Sequence, residues 1–282
     1  GKSLLAQTIC MAASKGLPLY GAKTRPMSTL YITCEDDEGE LSRRGKAIAA
    51  GFDSTLSTFQ DCYLVSWVGG EDPAICGEGF RKTQSYEQLD KWMTDFKPQL
   101  VFLDVIPDFW RGNEITRQDV NRFVKGFLGP LAVKHNACII GLHHPSGQGQ
   151  ASGRGTSGST AWEGSVRSRL YLKGADENGV RRLSLMKSNY SPLTEINLKW
   201  DQGALKLSEQ NYRNPLLKDG GRQELGKHAK DLIGHLRDHD GEMIVEELKP
   251  HFKSSNFYDA KDALLKRNLI QVSDGIVALL DD

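Results

Sequence analysis

Short apolar runs alternate with segments of helical periodicity through the first half of the chain. Strands are predicted at 30–34, 62–67, 100–104 and 137–143, and helices at 3–15, 41–50, 86–96 and 117–135. This alternation predicts an α/β fold in which helices cover both faces of a mostly parallel sheet. Because ligands of such sheets bind beyond the carboxyl ends of the strands, polar residues at those ends are the first candidates for chemistry.

The pattern changes after residue 145. Residues 146–165 are rich in glycine and serine and lack periodicity, which predicts a loop. Strands of a meander are predicted beyond it, at 168–173, 181–188 and 194–200. The polar stretch 208–222, with Pro215 and two adjacent glycines, is typical of a linker.

A smaller second domain is predicted after this linker. Its pattern indicates helices and a strand pair, the helices at 225–236, 243–248 and 257–267 and the strands around Ile270 and Ile276. Helices closed by a hairpin are the outline of a winged helix-turn-helix. We therefore predict a first domain at 1–207, a linker at 208–222 and a winged-helix-like domain at 223–282.

Composition narrows the class of protein. The chain has 36 basic residues (Lys and Arg together) and 36 acidic residues (Asp and Glu together), so its net charge argues neither for nor against a nucleic-acid partner. The five cysteines are scattered without a CxxC pair, which argues against a structural zinc site or disulfides and favours a reducing cytoplasm. No apolar run approaches the roughly 20 residues that span a bilayer, so we expect no membrane partner.

Gly1, Lys2 and Ser3 open the first predicted helix with the last three positions of the phosphate-binding pattern GxxxxGK[ST]. In this pattern backbone N–H groups hold phosphate oxygens, the lysine reaches the β- and γ-phosphates and the hydroxyl binds Mg²⁺. GKS also occurs by chance, so its assignment depends on the rest of the site. Because the strand and the first part of the loop are absent before Gly1, we expect the chain to be a fragment that begins inside its phosphate loop.

Two acidic residues end predicted strands. Asp104 closes the run LVFLD, where a carboxylate can bind a water of a Mg²⁺ shell. Glu35 follows another strand, where it could orient an attacking water as a general base. The alternatives are a capping or turn role for Asp104 and a solvated acidic turn for Glu35, since residues 36–38 are also acidic.

His143 and His144 end the fourth predicted strand, where either could sense a γ-phosphate through a hydrogen bond. Paired histidines can also bind a metal ion. Adjacent residues of a strand point to opposite faces, however, so this pair would not converge on one ion. The sequence therefore argues against zinc here.

In their order and spacing these segments resemble the RepA-like family of RecA-fold P-loop ATPases, which includes hexameric replicative helicases of plasmids and phages. The resemblance covers about residues 1–205 and rests on LYITCEDDEGELSRR, LVFLDVIPDFWRGNE, CIIGLHHPSG, GRGTSGSTAWEGSVRSRLYL and LSLMKSNYSPL. It implies a RecA-like core that hydrolyses ATP with Mg²⁺. It also implies single-stranded DNA as a partner and a homo-oligomeric ring, a hexamer in the family.

The resemblance also assigns the nucleotide-binding residues. Gly1, Lys2 and Ser3 would form the end of the phosphate loop, with the Ser3 hydroxyl on Mg²⁺. Asp104 would be the Walker B carboxylate, which holds Mg²⁺ through water.

The residues that act on the γ-phosphate follow from the same resemblance. Glu35 would be the catalytic base, and Arg44, on the next helix, would lie close to the γ-phosphate. His143 or His144 would be the sensor that couples the nucleotide state to the adjacent loop.

Such ATPases complete their site across a subunit interface with a cationic finger. The resemblance offers Arg167, Arg169 and Lys187, for which an ordinary surface position is the alternative. The glycine- and serine-rich stretch lies where RecA-like proteins place DNA-contacting loops, which makes Arg154 the candidate contact with nucleic acid. A simple flexible linker is the alternative there, because Arg154 and Trp162 are its main basic and aromatic residues.

Three functions stay open at this point. The first is an ATP-driven motor on single-stranded DNA, most simply a replicative helicase. The second is a RecA-like ATPase that binds DNA without unwinding it, as a recombination mediator or loader would. The third is a regulator whose winged helix reads duplex DNA through the helix 257–267, although a protein-contact role fits that domain as well.

Overall fold

The structure is a computed structural model that describes residues 1–147, 149, 155–156, 158–208, 227–239, 242–265, 270–273 and 275–279. The chain divides into two compact units, Gly1–Leu217 and Lys218–Asp282. Each has its own buried core.

The first unit is built on a parallel sheet in the order β2-β1-β3-β4. Its strands are β1 Thr29–Thr33, β2 Cys62–Ser66, β3 Leu100–Asp104 and β4 Cys138–Gly141. Its helices are α1 Lys2–Lys15, α2 Glu38–Gly51, α3 Gln84–Phe96, α4 Arg117–Phe123 and α5 Gly129–Lys134, with a π-helical turn at Val124–Leu128 between the last two. The predicted α/β architecture with a parallel sheet is confirmed.

Helices cover both faces of this sheet. Leu30 and Ile32 of β1 pack with residues of α3 and α4, whereas Tyr31 packs with residues of α1 and α2. This division follows from the alternation of side chains along a strand. All residues of β1 and β3 are buried, which is why their sequences form almost continuous apolar runs.

A second sheet follows in the first unit and is an antiparallel meander. Its strands, in spatial order, are β5 Ser168–Leu172, β6 Val180–Ser188, β7 Glu195–Asp201 and β8 Ala204–Leu207. The sequence predicts the first three of them and misses β8. Leu5 of α1 packs against Leu183, Leu198 and Leu205 of this meander, so apolar burial holds it beside the start of α1.

The glycine- and serine-rich stretch contains a helix that the sequence does not predict. Helix α6, Ala161–Ser165, buries Ala161 in the core that includes Phe123 of α4. The loop prediction for 146–165 is therefore wrong at its end. Residues 148, 150–154 and 157 of that stretch lie outside the described residues.

The second unit combines short helices with an antiparallel sheet in the order β10-β11-β9. Its elements are α7 Lys227–Arg237, β9 Glu242–Ile244, α8 Val245–Leu248, α9 Ser254–Leu265, β10 Ile270–Ser273 and β11 Ile276–Leu279. The helix predicted at 243–248 is wrong at its first two residues, because they belong to β9, in which Met243 pairs with Val277. The predicted linker lies outside the described residues except for Ser208.

None of the helices in the described part of the chain has the length and apolar character that a membrane span requires.

Candidate functional site

The start of α1 and the carboxyl ends of β1, β3 and β4 carry the residues that the sequence singles out. Lys2 Nζ lies 3.4 Å from Nδ1 of His144, and Nε2 of the same ring lies 3.7 Å from Oε1 of Glu35. An imidazole whose Nδ1 accepts from the lysine carries its proton on Nε2, the nitrogen that faces the carboxylate. Three side chains that are remote in sequence therefore form one line of polar contacts.

Asp104 lies beside them as a buried carboxylate with one partnered oxygen. The Tyr31 hydroxyl donates to Oδ2 over 2.5 Å, and the two residues are 0% and 1% exposed. Burial raises the pKa of Tyr31 well above its usual value, and the charge of Asp104 raises it further, so the phenol stays a donor. Oδ1 of Asp104 is buried and has no hydrogen-bond partner among the described residues.

Such an orphaned oxygen needs a partner, since a buried acceptor left unpaired costs about 1–3 kcal/mol. A water of a Mg²⁺ shell would satisfy it, and Ser3 stands in the first turn of α1 with a hydroxyl suited to the same ion. No group of three or more metal-ligating side chains occurs in the part of the chain that the structure describes. Ser3 and Asp104 fit Mg²⁺ that would take its other ligands from phosphates and water.

Arg44 lies on α2 and is held by acidic neighbours. Its guanidinium donates to both carboxylate oxygens of Asp36, at 2.7 and 3.2 Å, to Glu40 at 3.0 Å and to the amide oxygen of Gln7 at 3.1 Å. Burial alone would lower the pKa of Arg44, but its hydrogen bonds to Asp36 and the charge of that carboxylate outweigh burial and raise the pKa. The arginine is thus ordered beside β1, with its charge already paired.

His143 faces away from Lys2. Its Nδ1 lies 2.9 Å from the carbonyl oxygen of His144, and its Nε2 lies 3.3 Å from Oε2 of Glu114 without hydrogen-bond geometry. The ring also contacts Trp162 of α6 at a centroid distance of 5.2 Å. The two histidines therefore point in different directions, one to the start of α1 and one to α6 and the 113–116 segment, as adjacent residues of an extended chain do.

The three candidate finger residues lie after α6. Lys187 donates to the carbonyl oxygens of Glu163 and Val166 at 2.6 and 2.7 Å, and Nη2 of Arg169 lies 3.6 Å from Oε1 of Glu163. Arg167 is exposed. Arg154 lies outside the described residues, so its predicted contact with nucleic acid stays a prediction.

Tyr31 is a neighbour of the candidate site that was not predicted. Its signal is a hydroxyl at the centre of an apolar strand, because a buried tyrosine needs a hydrogen-bond partner. Glu114 is a second missed neighbour, and nothing in its surroundings in the sequence marks it.

A parallel α/β sheet with GKS at a helix start and carboxylates at the strand ends defines the class of P-loop nucleotide-binding proteins. Residues 1–150 match the family described as "AAA domain". Since this match spans 150 of 282 residues, the chain belongs to that P-loop ATPase family, which implies nucleotide binding.

A solved structure described as the crystal structure of the RadB recombinase is similar to this chain, with a TM-score of 0.49 and 13% identity. The similarity covers 73% of this chain and 87% of that chain. No match was found among curated proteins.

Proposed function

We propose that the chain is the ATP-hydrolysing core of a RecA-like motor that acts on single-stranded DNA. The observation that carries the proposal is the line of contacts from Lys2 through His144 to Glu35, beside the unpaired buried oxygen of Asp104. A cation for phosphates, a carboxylate for water and an acceptor for a hydrated ion are the groups that phosphoryl transfer to water needs.

Each residue has one task in this proposal. Lys2 and the backbone N–H groups at the start of α1 hold the phosphates, and Ser3 and Asp104 would hold Mg²⁺, which would neutralise phosphate charge. Glu35, with its side chain 49% exposed, accepts a proton from the attacking water. His144 contacts both Lys2 and Glu35, so it is placed to lose one contact when a γ-phosphate arrives.

The link from nucleotide to DNA runs through the histidine pair. His144 faces Lys2, whereas His143 contacts Glu114 and also Trp162, which lies in the glycine- and serine-rich stretch. A shift of one histidine therefore moves the other against the segment in which Arg154 is the proposed DNA contact. The resemblance to RepA-like ATPases supports single-stranded DNA as the ligand.

Assembly into a ring completes the proposed site. Arg167 is exposed and can reach a neighbouring protomer, whereas Lys187 and Arg169 contact Glu163 within their own chain. We therefore propose Arg167 as the arginine that completes the ATP site of a neighbouring protomer in a cytoplasmic homo-oligomer.

The second unit is proposed to be a winged helix that contacts DNA or another protein. Its support is the set of short helices together with the antiparallel sheet β10-β11-β9. We place the ATPase core at 1–207 and this domain at 223–282.

The test uses the chain extended at its N-terminus by the strand and the GxxxxG pattern that complete the phosphate loop, called here the completed chain. We expect ATP turnover that single-stranded DNA stimulates. Strand displacement on a forked duplex would assign the replicative-helicase form of the motor, and stimulation without displacement would assign a DNA-binding ATPase. No turnover by a folded, assembled protein would contradict the proposal.

A further inference from the structure

An arginine of the meander lies against the start of α1. A Cβ atom built on Gly1 would lie 3.2 Å from Nη1 and 3.4 Å from Cζ of Arg181. The guanidinium of this β6 residue is therefore in van der Waals range of the position where the proposed phosphate loop ends and α1 begins.

The packing of β6 on α1 fixes this position. Arg181 precedes the buried Leu183 by two residues, so both side chains lie on the same face of β6. Leu198, directly opposite Arg181 on β7, is also fully buried and packs with Leu5 of α1. Arg181 thus belongs to the face that α1 covers, and the apolar contacts behind it point it at the helix start.

Arg181 also keeps its charge uncompensated. Among the described residues no carboxylate forms an ion pair with it, although its neighbour Arg182 lies 3.7 Å from Oε1 of Glu195. Its guanidinium beside Gly1 is therefore available to an anionic ligand at the start of α1.

We propose that Arg181 is a phosphate-binding residue that acts from the same chain as the phosphate loop. Its ligand is the phosphate tail of the nucleoside triphosphate, whose negative charge would pair with the guanidinium. This inference rests on the proposed function, since it assigns a further residue to the same nucleotide site.

The geometry provides a matched control in the next residue. Arg181 and Arg182 differ by one position on β6 and point to opposite faces, so Arg181→Gln and Arg182→Gln remove the same charge on the two sides of one strand. Gln retains much of the side-chain length, and Arg181→Lys retains the charge without the planar fork.

The experiment measures the affinity of the completed chain for Mg²⁺-ATP by isothermal titration calorimetry. We expect Arg181→Gln to raise Kd about tenfold or more, which is the usual effect of a lost hydrogen bond to a charged group. Arg181→Lys should recover part of the affinity, and Arg182→Gln should bind like the wild type.

The outcomes separate this inference from the proposed function. A wild type that fails to bind Mg²⁺-ATP would overturn the nucleotide site itself and the role of Arg181 with it. A wild type that binds, with Arg181→Gln equal to Arg182→Gln in affinity, would overturn the role of Arg181 alone. Tryptophan fluorescence melting of each variant shows whether it is folded, and Arg181→Lys supplies the comparison if Arg181→Gln is not.

Discussion

The buried hydrogen bond between Tyr31 and Asp104 makes a strong prediction about stability. Tyr31→Phe keeps the aromatic ring in its fully buried position and removes only the hydroxyl, so no large cavity forms. Oδ2 of Asp104 then loses its donor, and Oδ1 already has no partner among the described residues. A hydrogen bond to a charged group contributes about 1.5–3 kcal/mol, so we expect the free energy of unfolding to fall by about 2 kcal/mol.

Urea unfolding followed by tryptophan fluorescence measures this loss. All five tryptophans lie in the first unit, so the signal reports on the unit that contains the bond. With a urea slope of roughly 2 kcal/mol per molar, the midpoint should fall by roughly 1 M. The control is Tyr63→Phe on the neighbouring strand, whose ring stacks on Phe96 and whose hydroxyl bonds to none of the described residues.

The contribution of the Tyr31 hydroxyl to stability should also depend on pH. Because the pKa of Tyr31 is raised above its usual value of 10.0 in the folded protein, its stabilising effect is complete below pH 10 and is lost as pH rises further. The advantage of the wild type over Tyr31→Phe should therefore shrink above pH 10, by at most about 1.4 kcal/mol per pH unit. A loss of less than about 0.5 kcal/mol at neutral pH, or a loss equal to that of Tyr63→Phe, would refute this reasoning.

Two further predictions concern other parts of the chain. Asp90 accepts hydrogen bonds from Lys134 and His135. Burial opposes the ionisation of Asp90, but these two partners outweigh burial and lower its pKa below 3.8. Asp90→Asn should therefore lower the free energy of unfolding by about 1–2 kcal/mol near neutral pH, measured by urea titration. Because the pKa of Asp90 is lowered in the folded protein, the stability difference between wild type and Asp90→Asn should be present above pH 3.8 and disappear as pH falls through the lowered pKa. A stability difference that persists in acid would contradict this prediction. Leu232→Ala should destabilise the second unit by about 2–5 kcal/mol, because this side chain is 0% exposed in that unit's core. Unfolding of the second unit, followed by circular dichroism, should shift, while the unfolding of the first unit, followed by tryptophan fluorescence, stays in place. An equal shift of both unfolding transitions would contradict the prediction and show that the units do not unfold separately.

Long segments with clear periodicity are predictable from the sequence alone. The strands β1 and β3 are recognisable because burial on both faces leaves them mostly apolar, and helix α1 because its apolar residues recur at helical spacing up to Gly16. Glu35 and Asp104 stand out as candidate site residues for a related reason, since Asp104 is the last residue of β3 and Glu35 follows β1 by two positions.

Short elements and side-chain pairings could not be predicted. Helix α6 and strand β8 have five and four residues, too few for a periodic pattern, and they owe their form to packing. The first part of the predicted helix at 243–248 is a strand because Met243 pairs with Val277, a contact that depends on tertiary structure. Arg181 carries no local signal, because its importance lies in the approach of β6 to α1.

The most direct test of the central claim is steady-state ATP hydrolysis by the completed chain with Glu35→Gln beside Glu38→Gln. Both changes remove one carboxylate from the same acidic segment, but Glu35 lies 3.7 Å from His144, whereas Glu38 is an exposed residue in the first turn of α2. We expect turnover to fall at least 100-fold in Glu35→Gln, as loss of a general base does, and to stay near the wild-type value in Glu38→Gln. Equal turnover in the wild type and both variants would contradict the assignment of Glu35 as the base and of this edge as the catalytic site.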